Sequence, residues 1–294
     1  MISRIGLIGN LRKKGLVPLC RRIMNWCQRH DITIHAEKEL YQALIGGRKT
    51  SILNPESLDS CDLICLMGGD GFLLNSCRLL YPTDVPVLPV NLGSLGFHTQ
   101  IEPEEIIRVL NRFHANSIPT VPRYLLQVAS SNKQKKTHTE FAFNDILLVK
   151  ETRSRLIHVE AYIDGIFIGK VPCDGMVVSS ATGSTAYNLS TGGSLVHPDL
   201  DVMILFPLCP HTLSIRPIAL PGKSRITLRH VTFKDREEAK ICIDGQLWRD
   251  IQPGDGFEIS TAERPLLIAE AHPGVFYKKL NTVIRWGASF VRKP

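Results

Sequence analysis

The stretch CLMGGDGFLLNSCRLL, residues 65 to 80, places one carboxylate, Asp70, among Gly68, Gly69 and Gly71, with apolar runs on both sides. Glycine is costly inside regular structure. Three of them between a strand-like and a helix-like run mark a tight turn or a close approach of ligand to backbone. N–H groups at such a junction favour a phosphate. An aspartate would repel that phosphate unless it has another task, such as accepting a proton from an attacking hydroxyl or meeting a cation carried by the phosphates. The remaining alternative is that Asp70 caps the helix that follows. NLGSLGF, residues 91 to 97, repeats the pattern with Gly93 and Gly96 after the next strand-like run. Two neighbouring strands ending in glycine loops predict one crevice at the carboxyl edge of a sheet.

SSATGSTAYNLSTGGS, residues 179 to 194, is small and hydroxyl-rich, with Tyr187 as its one large polar residue. Such a loop supplies hydroxyl and amide contacts to ribose or base edges, and Tyr187 supplies contact area with a polar tip. Asn144 and Asp145 stand at the start of a strand-like run, Asp174 at another, and Asp244 to Gln246 at a turn. Asn and Asp at strand ends ordinarily shape turns, and Arg155 reads equally as a solvated charge. The first strand runs into GLIGNLRKKG, which lacks the G-x-G-x-x-G dinucleotide fingerprint. That disfavours a hydride-transferring dehydrogenase.

The elements that must position these residues follow from periodicity. Strands are expected over 2–9, 32–37, 61–67 and 85–93, and helices over 15–29, 71–81 and 103–113. Their alternation predicts an α/β domain with a mostly parallel sheet. NSIPTVPRY, from residue 116, reads as a linker or crossover. Beyond it, short β-branched and aromatic runs are expected as strands over 123–130, 140–149, 156–163, 166–171, 175–180, 201–206, 225–233, 239–243 and 256–260. Asp164-Gly165 reads as the two-residue turn of a hairpin. These runs predict a second, mostly antiparallel β domain.

The 294 residues are 44% hydrophobic and 21% charged, the balance of a globular protein with a substantial core. No apolar run approaches the roughly 18 residues of a membrane span. The N-terminal apolar run precedes its basic cluster, the reverse of a secretory signal, so a cytoplasmic protein without membrane attachment is expected. The net charge of +7 suits anionic partners. The cations are scattered (Arg12 to Lys14, Lys133 to Lys136, Lys278 to Lys279), and no nucleic-acid recognition motif accompanies them. Eight cysteines without a C-x-x-C pair predict buried thiols rather than a zinc site or a disulfide framework.

Taken together, GGDG (68–71), NLGSLGF (91–97), FND (143–145), DGMVVSSATGSTAYNLSTGGSLVHP (174–198), FPLCPHTLSIRPI (206–218) and DGQ (244–246) resemble, in order and spacing, the bacterial type of the NAD kinase family. The resemblance covers nearly the whole chain. Its 174–218 segment is highly specific, whereas GGDG is shared with lipid kinases and phosphofructokinases. It implies transfer of the ATP γ-phosphoryl group to the 2′-hydroxyl of the adenosine ribose of NAD. Asp70 then resembles the proton acceptor, and Gly68, Gly69, Gly71 and Gly93 lie on the phosphate side. Asn144 and Asp145 resemble the pair that holds adenosine. Thr185, Ala186, Tyr187, Asn188, Leu189 and Ser190 resemble the loop that lines the NAD site, with Arg155 and Gln246 as weaker matches. Asp174 resembles a residue that reaches NAD on a neighbouring subunit, implying a homo-oligomer with shared sites.

The resemblance further implies Mg²⁺ or a similar ion carried with ATP, with no metal site of the protein's own, and some members use polyphosphate. The implied fold is a Rossmann-like, phosphofructokinase-like α/β domain over 1–118 and a β-sandwich-like domain over 119–268. A 269–294 segment then returns to the first domain. Phe72, Ser94, Ser180 and Ala181 depart from the usual family residues. The rivals are a lipid or sugar kinase on the same loop and a non-catalytic NAD sensor.

Overall fold

The structure, a computed structural model, describes residues 1–44, 50–93, 96–130, 139–151, 154–212, 214–231 and 238–287. Ser94 and the Lys133–Lys136 cluster lie outside the described residues. The chain divides into two compact units, Met1–Pro122 with Leu266–Pro294, and Arg123–Pro265.

The chain begins with β1 (Arg4–Gly9), α1 (Leu16–Arg29), β2 (Thr33–Ala36), α2 (Lys38–Leu44), β3 (Thr50–Ile52), α3 (Pro55–Asp59), β4 (Leu63–Gly68), α4 (Asp70–Leu80), β5 (Val87–Asn91), α5 (Ile106–Ala115) and β6 (Thr120–Arg123). It continues with β7 (Leu126–Ser130), β8 (Glu140–Ala142), β9 (Asp145–Lys150), β10 (Ile157–Ile163), β11 (Ile166–Cys173), β12 (Gly175–Ser180), α6 (Tyr187–Ser190) and β13 (Val202–Leu208). It ends with β14 (Ile218–Pro221), β15 (Ile226–Val231), β16 (Ala239–Ile243), β17 (Leu247–Ile251), β18 (Gly256–Thr261), β19 (Leu266–Ala269) and α7 (Val275–Thr282).

In the first unit the strands form one sheet in the order β3-β2-β1-β4-β5-β19-β6. Pairing is parallel from β3 through β19. β4 is buried along its whole length, as a strand of a parallel sheet covered on both faces must be. Helix α1 turns Leu16, Cys20, Ile23 and Cys27 into the core, and Trp26 Nε1 donates to Asn111 Oδ1 on α5 at 2.6 Å. All eight cysteines are free thiols, and every one except Cys209 is buried. Burial pushes the Cys20, Cys27 and Cys61 thiols up to about 12. No described helix is long and apolar enough to cross a membrane.

The second unit holds two antiparallel sheets, β11-β10-β15-β18-β7-β8 and β14-β13-β12-β9-β16-β17. One core joins Ile146, Leu148, Met176 and Val178 to Val128, Val159, Ile226 and Leu228. The fold is therefore the α/β domain plus antiparallel β sandwich expected from the sequence. The differences are local. The expected strand 123–130 is divided, because 120–123 joins the parallel sheet and 126–130 the sandwich. The expected strand 140–149 breaks at Phe143 and Asn144, whose N–H groups are taken by a side chain described below. The short elements α2, β3, α3, β14, β17 and β19 carried too little periodicity to be expected.

Asp164 and Gly165 join β10 to β11 with φ of 51° and 80°, the positive pair a two-residue hairpin turn requires. A Cβ on Gly165 would meet nothing within 4 Å, so Gly165→Ala isolates the backbone cost. It is expected to lower unfolding free energy by about 1 kcal/mol, read as a lower midpoint in urea with activity retained.

Candidate active site

Helix α4 begins at Asp70 with Gly69, which has no side chain to cap it, at its N-cap. The helix's first turn instead closes through Gly69 O, which accepts from Phe72 N and Leu73 N at 3.0 and 3.1 Å. Asp70 is therefore not the helix cap that the sequence left open. Its carboxylate turns to the loop after β5, where Oδ2 accepts from the Phe97 N–H at 2.7 Å and Oδ1 from the His98 N–H at 3.3 Å. A Cβ on Gly96 would collide with this carboxylate, so glycine at that position is what lets the loop close on Asp70.

The two glycine loops run against each other. Leu92 N donates to Gly68 O at 2.9 Å, and a Cβ on Gly93 would stand 3.2 Å from the Gly69 Cα. The same position is 3.7 Å from Lys13 Nζ, which sets a cation beside bare backbone. Asn91 shapes the turn, its Oδ1 accepting from Gly93 N at 2.9 Å and its Nδ2 donating to Glu102 at 3.0 and 3.2 Å. The Phe72 ring lies under Gly68, where a Cβ would strike it. The aromatic departure at 72 thus packs on backbone.

In the second unit Asp145 begins β9 and Asn144 immediately precedes it, and both are buried. Asp244 holds them: its carboxylate accepts from the N–H groups of Phe143, Asn144 and Asp145 at 2.9, 2.7 and 3.2 Å. Asp244 and Gly245 form the β16–β17 turn with φ of 50° and 67°. The hydroxyl-rich loop is sewn to the same place. Ser180 Oγ donates to Phe143 O at 2.7 Å and accepts from Gly183 N at 3.0 Å, and no Cβ fits at Gly183 against the Asn144 carbonyl. Tyr187 donates its backbone N–H to the Asp145 carboxylate and leaves its side chain 43% exposed. Asn188 is fully buried, and its amide nitrogen donates to Ser184 O and Ser194 O, each at 2.9 Å. That side chain fastens the loop around Thr185, Ala186, Leu189 and Ser190. Among the described residues Asn144 Oδ1 is buried without a hydrogen-bond partner. Leaving such an acceptor unpaired costs about 1–3 kcal/mol, an incentive to receive a ligand donor there.

The structure does not bring every expected residue together. Ser179 pairs with Asp145 at one end of β12 and Gly175 with Val149 at the other. Asp174 therefore lies about 17 Å along the strand from the Asn144–Asp145 turn, at ~3.4 Å per residue. At that far end Lys150 Nζ meets Asp174 Oδ1 at 2.8 Å and donates to Arg155 O at 2.9 Å. Gln246 stands in the exposed turn beside Asp244. Sequence reasoning missed Lys150, Lys13 and the Phe97 and His98 amides. A glycine loop signals available amides without telling which side chain they will take. Among the described residues no group of three or more His, Cys, Asp or Glu is placed to hold a metal ion.

The family model of the ATP-NAD kinase N-terminal domain matches residues 5–118, and that of the ATP-NAD kinase C-terminal domain matches residues 143–271. An NAD kinase of Moorella thermoacetica is 35% identical over 288 residues, covering 98% of this chain and 91% of its own. One of Teredinibacter turnerae is 34% identical over 286 residues, 97% of each. Two solved structures share the fold at 22% identity. Yeast NADH kinase complexed with NADH has a TM-score of 0.89 and covers 100% of this chain and 90% of its own. An Archaeoglobus fulgidus NAD kinase in complex with ATP has a TM-score of 0.70 and covers 94% and 96%. Fold and sequence together define a phosphotransferase. The chain belongs to the ATP-NAD kinase family.

Burial, and then the neighbouring charge of Asp244, pushes the Asp145 carboxyl up to about 7, against the pull of the Tyr187 N–H. An acid whose pKa is raised on folding binds more protons folded than unfolded. Its stability contribution is therefore full below about pH 4 and lost as pH rises to about 7. Asp145→Asn removes that penalty. Its stability relative to wild type is expected to grow between about pH 4 and 7 and then level off, measured by urea unfolding across pH.

Proposed function

We propose that the protein transfers the γ-phosphoryl group of ATP to the 2′-hydroxyl of the adenosine ribose of NAD, with Asp70 as general base. The observation that carries this is the Asp70 carboxylate, turned from its own helix and fixed by the Phe97 and His98 amides beside two opposed glycine loops. A ribose hydroxyl is a poor nucleophile, and phosphoryl transfer depends on position and charge neutralisation. The 2′-oxygen bonds to the γ-phosphorus, the bridge to the β-phosphate breaks, ADP leaves, and the proton passes to Asp70. The backbone of Gly68, Gly69, Gly71 and Gly93, with Lys13 beside it, suits the donor phosphates. A divalent cation such as Mg²⁺, carried with those phosphates, would neutralise charge there. Polyphosphate offers the same phosphate chain as an alternative donor.

On the acceptor side, the unpaired Asn144 Oδ1 takes a donor of the adenosine moiety, Asp145 binds beside it, and the 185–190 loop with Tyr187 and Gln246 borders the nucleotide. Asp174 and Arg155 stand at the wrong end of β12 for the same bound molecule. That placement supports their serving NAD on a second copy, in a homo-oligomer with shared sites. A cytoplasmic setting, where ATP, Mg²⁺ and NAD coexist, suits this chemistry.

Purified protein given NAD, ATP and Mg²⁺ is expected to form NADP carrying a 2′-phosphate, assigned by ³¹P NMR. A general base contributes about 10²–10⁴-fold, so Asp70→Asn is expected to lose turnover within that range. No NADP from ATP or polyphosphate would contradict the function, and full turnover in Asp70→Asn would contradict the assignment of the base.

A further inference from the structure

Lys279, on α7, is only 8% exposed, and no carboxylate forms an ion pair with it among the described residues. Its Nζ donates to Phe97 O at 2.9 Å, to Thr99 O, and to Thr99 Oγ1 at 3.3 Å. An ammonium has three donors, and all three go to one short loop, the one whose amides hold Asp70. Phe97 is the shared member. Its carbonyl belongs to the same planar peptide as the His98 N–H. One edge of that unit is bound by Lys279 and the other by Asp70 Oδ1. Because the trans peptide fixes C=O and N–H in opposite directions, holding the oxygen also aims the N–H at the carboxylate.

Helix α7 grips the loop a second time. The Phe276 ring meets the Phe97 ring edge-on at 5.9 Å between centroids, and Phe276 and Lys279 are three residues apart on one helical face. An ammonium on a carbonyl also polarises the peptide's N–H and strengthens its bond to an anion. Burial of Lys279 lowers its pKa to about 8, although the charges of Asp70 and Glu102 work against that shift. A solvent-exposed tether would not incur this desolvation. We propose that Lys279 is a positioning residue for the phosphoryl-transfer reaction, locking the Phe97–His98 peptide so that its N–H, beside the Phe97 N–H of the preceding peptide, holds Asp70 in its reactive orientation.

This rests on Asp70 being the base, so the test has one readout that needs no turnover. Lys279→Met keeps the apolar stem and removes the donors. In that variant, hydrogen exchange at the Phe97 and His98 amides is expected to quicken at least about tenfold while the β sandwich keeps its protection. Turnover is expected to fall about 10- to 100-fold with KM for NAD unchanged within about twofold. In an Asp70→Asn background the same substitution is expected to lower the residual rate by less than about twofold, because its effect passes through Asp70. Equal losses in both backgrounds, or unchanged exchange at the two amides, would overturn the proposal. If wild type makes no NADP, the functional reading fails by itself, and amide exchange still decides whether Lys279 holds the loop. If Lys279→Met does not fold, Lys279→Gln, which keeps two donors on a shorter arm, carries the same measurements with the same opposing outcomes.

Discussion

A carboxylate in the first turn of a helix ordinarily satisfies that helix's own free N–H groups. Asp70 does not. Its carboxylate accepts instead from the Phe97 and His98 amides of the loop after β5, and much of the first unit is arranged around that choice. Glycine at 96 removes the side chain that would collide with Asp70. Opposed glycines at 69 and 93 leave the neighbouring backbone bare. Asn91 fixes the turn between them through Gly93 and Glu102. Asp70 is thereby aimed as well as placed, which is what its proposed role as proton acceptor for a weak nucleophile needs.

The second unit solves a different problem with the same chemistry. Asp244 uses its carboxylate on the backbone N–H groups of Phe143, Asn144 and Asp145, so the Asn144 and Asp145 side chains need not shape their own turn. The cost falls on Asp145, whose proton affinity is raised first by burial and then by the neighbouring Asp244 carboxylate. The hydroxyl-rich loop closes over the same turn through Ser180 and is braced from within by Asn188. A chain binding only through surface charge would have no use for such buried polar work.

Much of this was legible in the sequence. The alternation around β1, α1, β4 and α4 carried the parallel sheet, and the Asp164-Gly165 pair carried a hairpin. Gly68 to Gly71 and Gly93 marked the loops. Short elements such as α3 and β3 were not legible, because five or three residues hold no period. β19 was hidden for a different reason: four apolar residues late in the chain pair with β5, a partner that local pattern cannot name. At the site, Asp244 looked like an ordinary turn residue. It is one by its φ of 50°, and only the fold reveals what its carboxylate holds. Backbone donors such as the Phe97 N–H have no letter in the sequence. Lys279 read as one of the scattered cations, and Lys150 drew no reading, because burial and carbonyl partners are tertiary facts.

In the proposed reaction Asp70 performs chemistry, and the Asn144–Asp145 turn recognises the acceptor. Equilibrium titration of NAD into wild type, Asp70→Asn and Asn144→Ala, without ATP, tests this division most directly. The account predicts that Asp70→Asn binds NAD within about twofold of wild type. It predicts that Asn144→Ala, which loses a buried hydrogen-bond acceptor, binds at least about tenfold more weakly. Equal binding by Asn144→Ala and wild type, or a loss in Asp70→Asn as large as in Asn144→Ala, would contradict it.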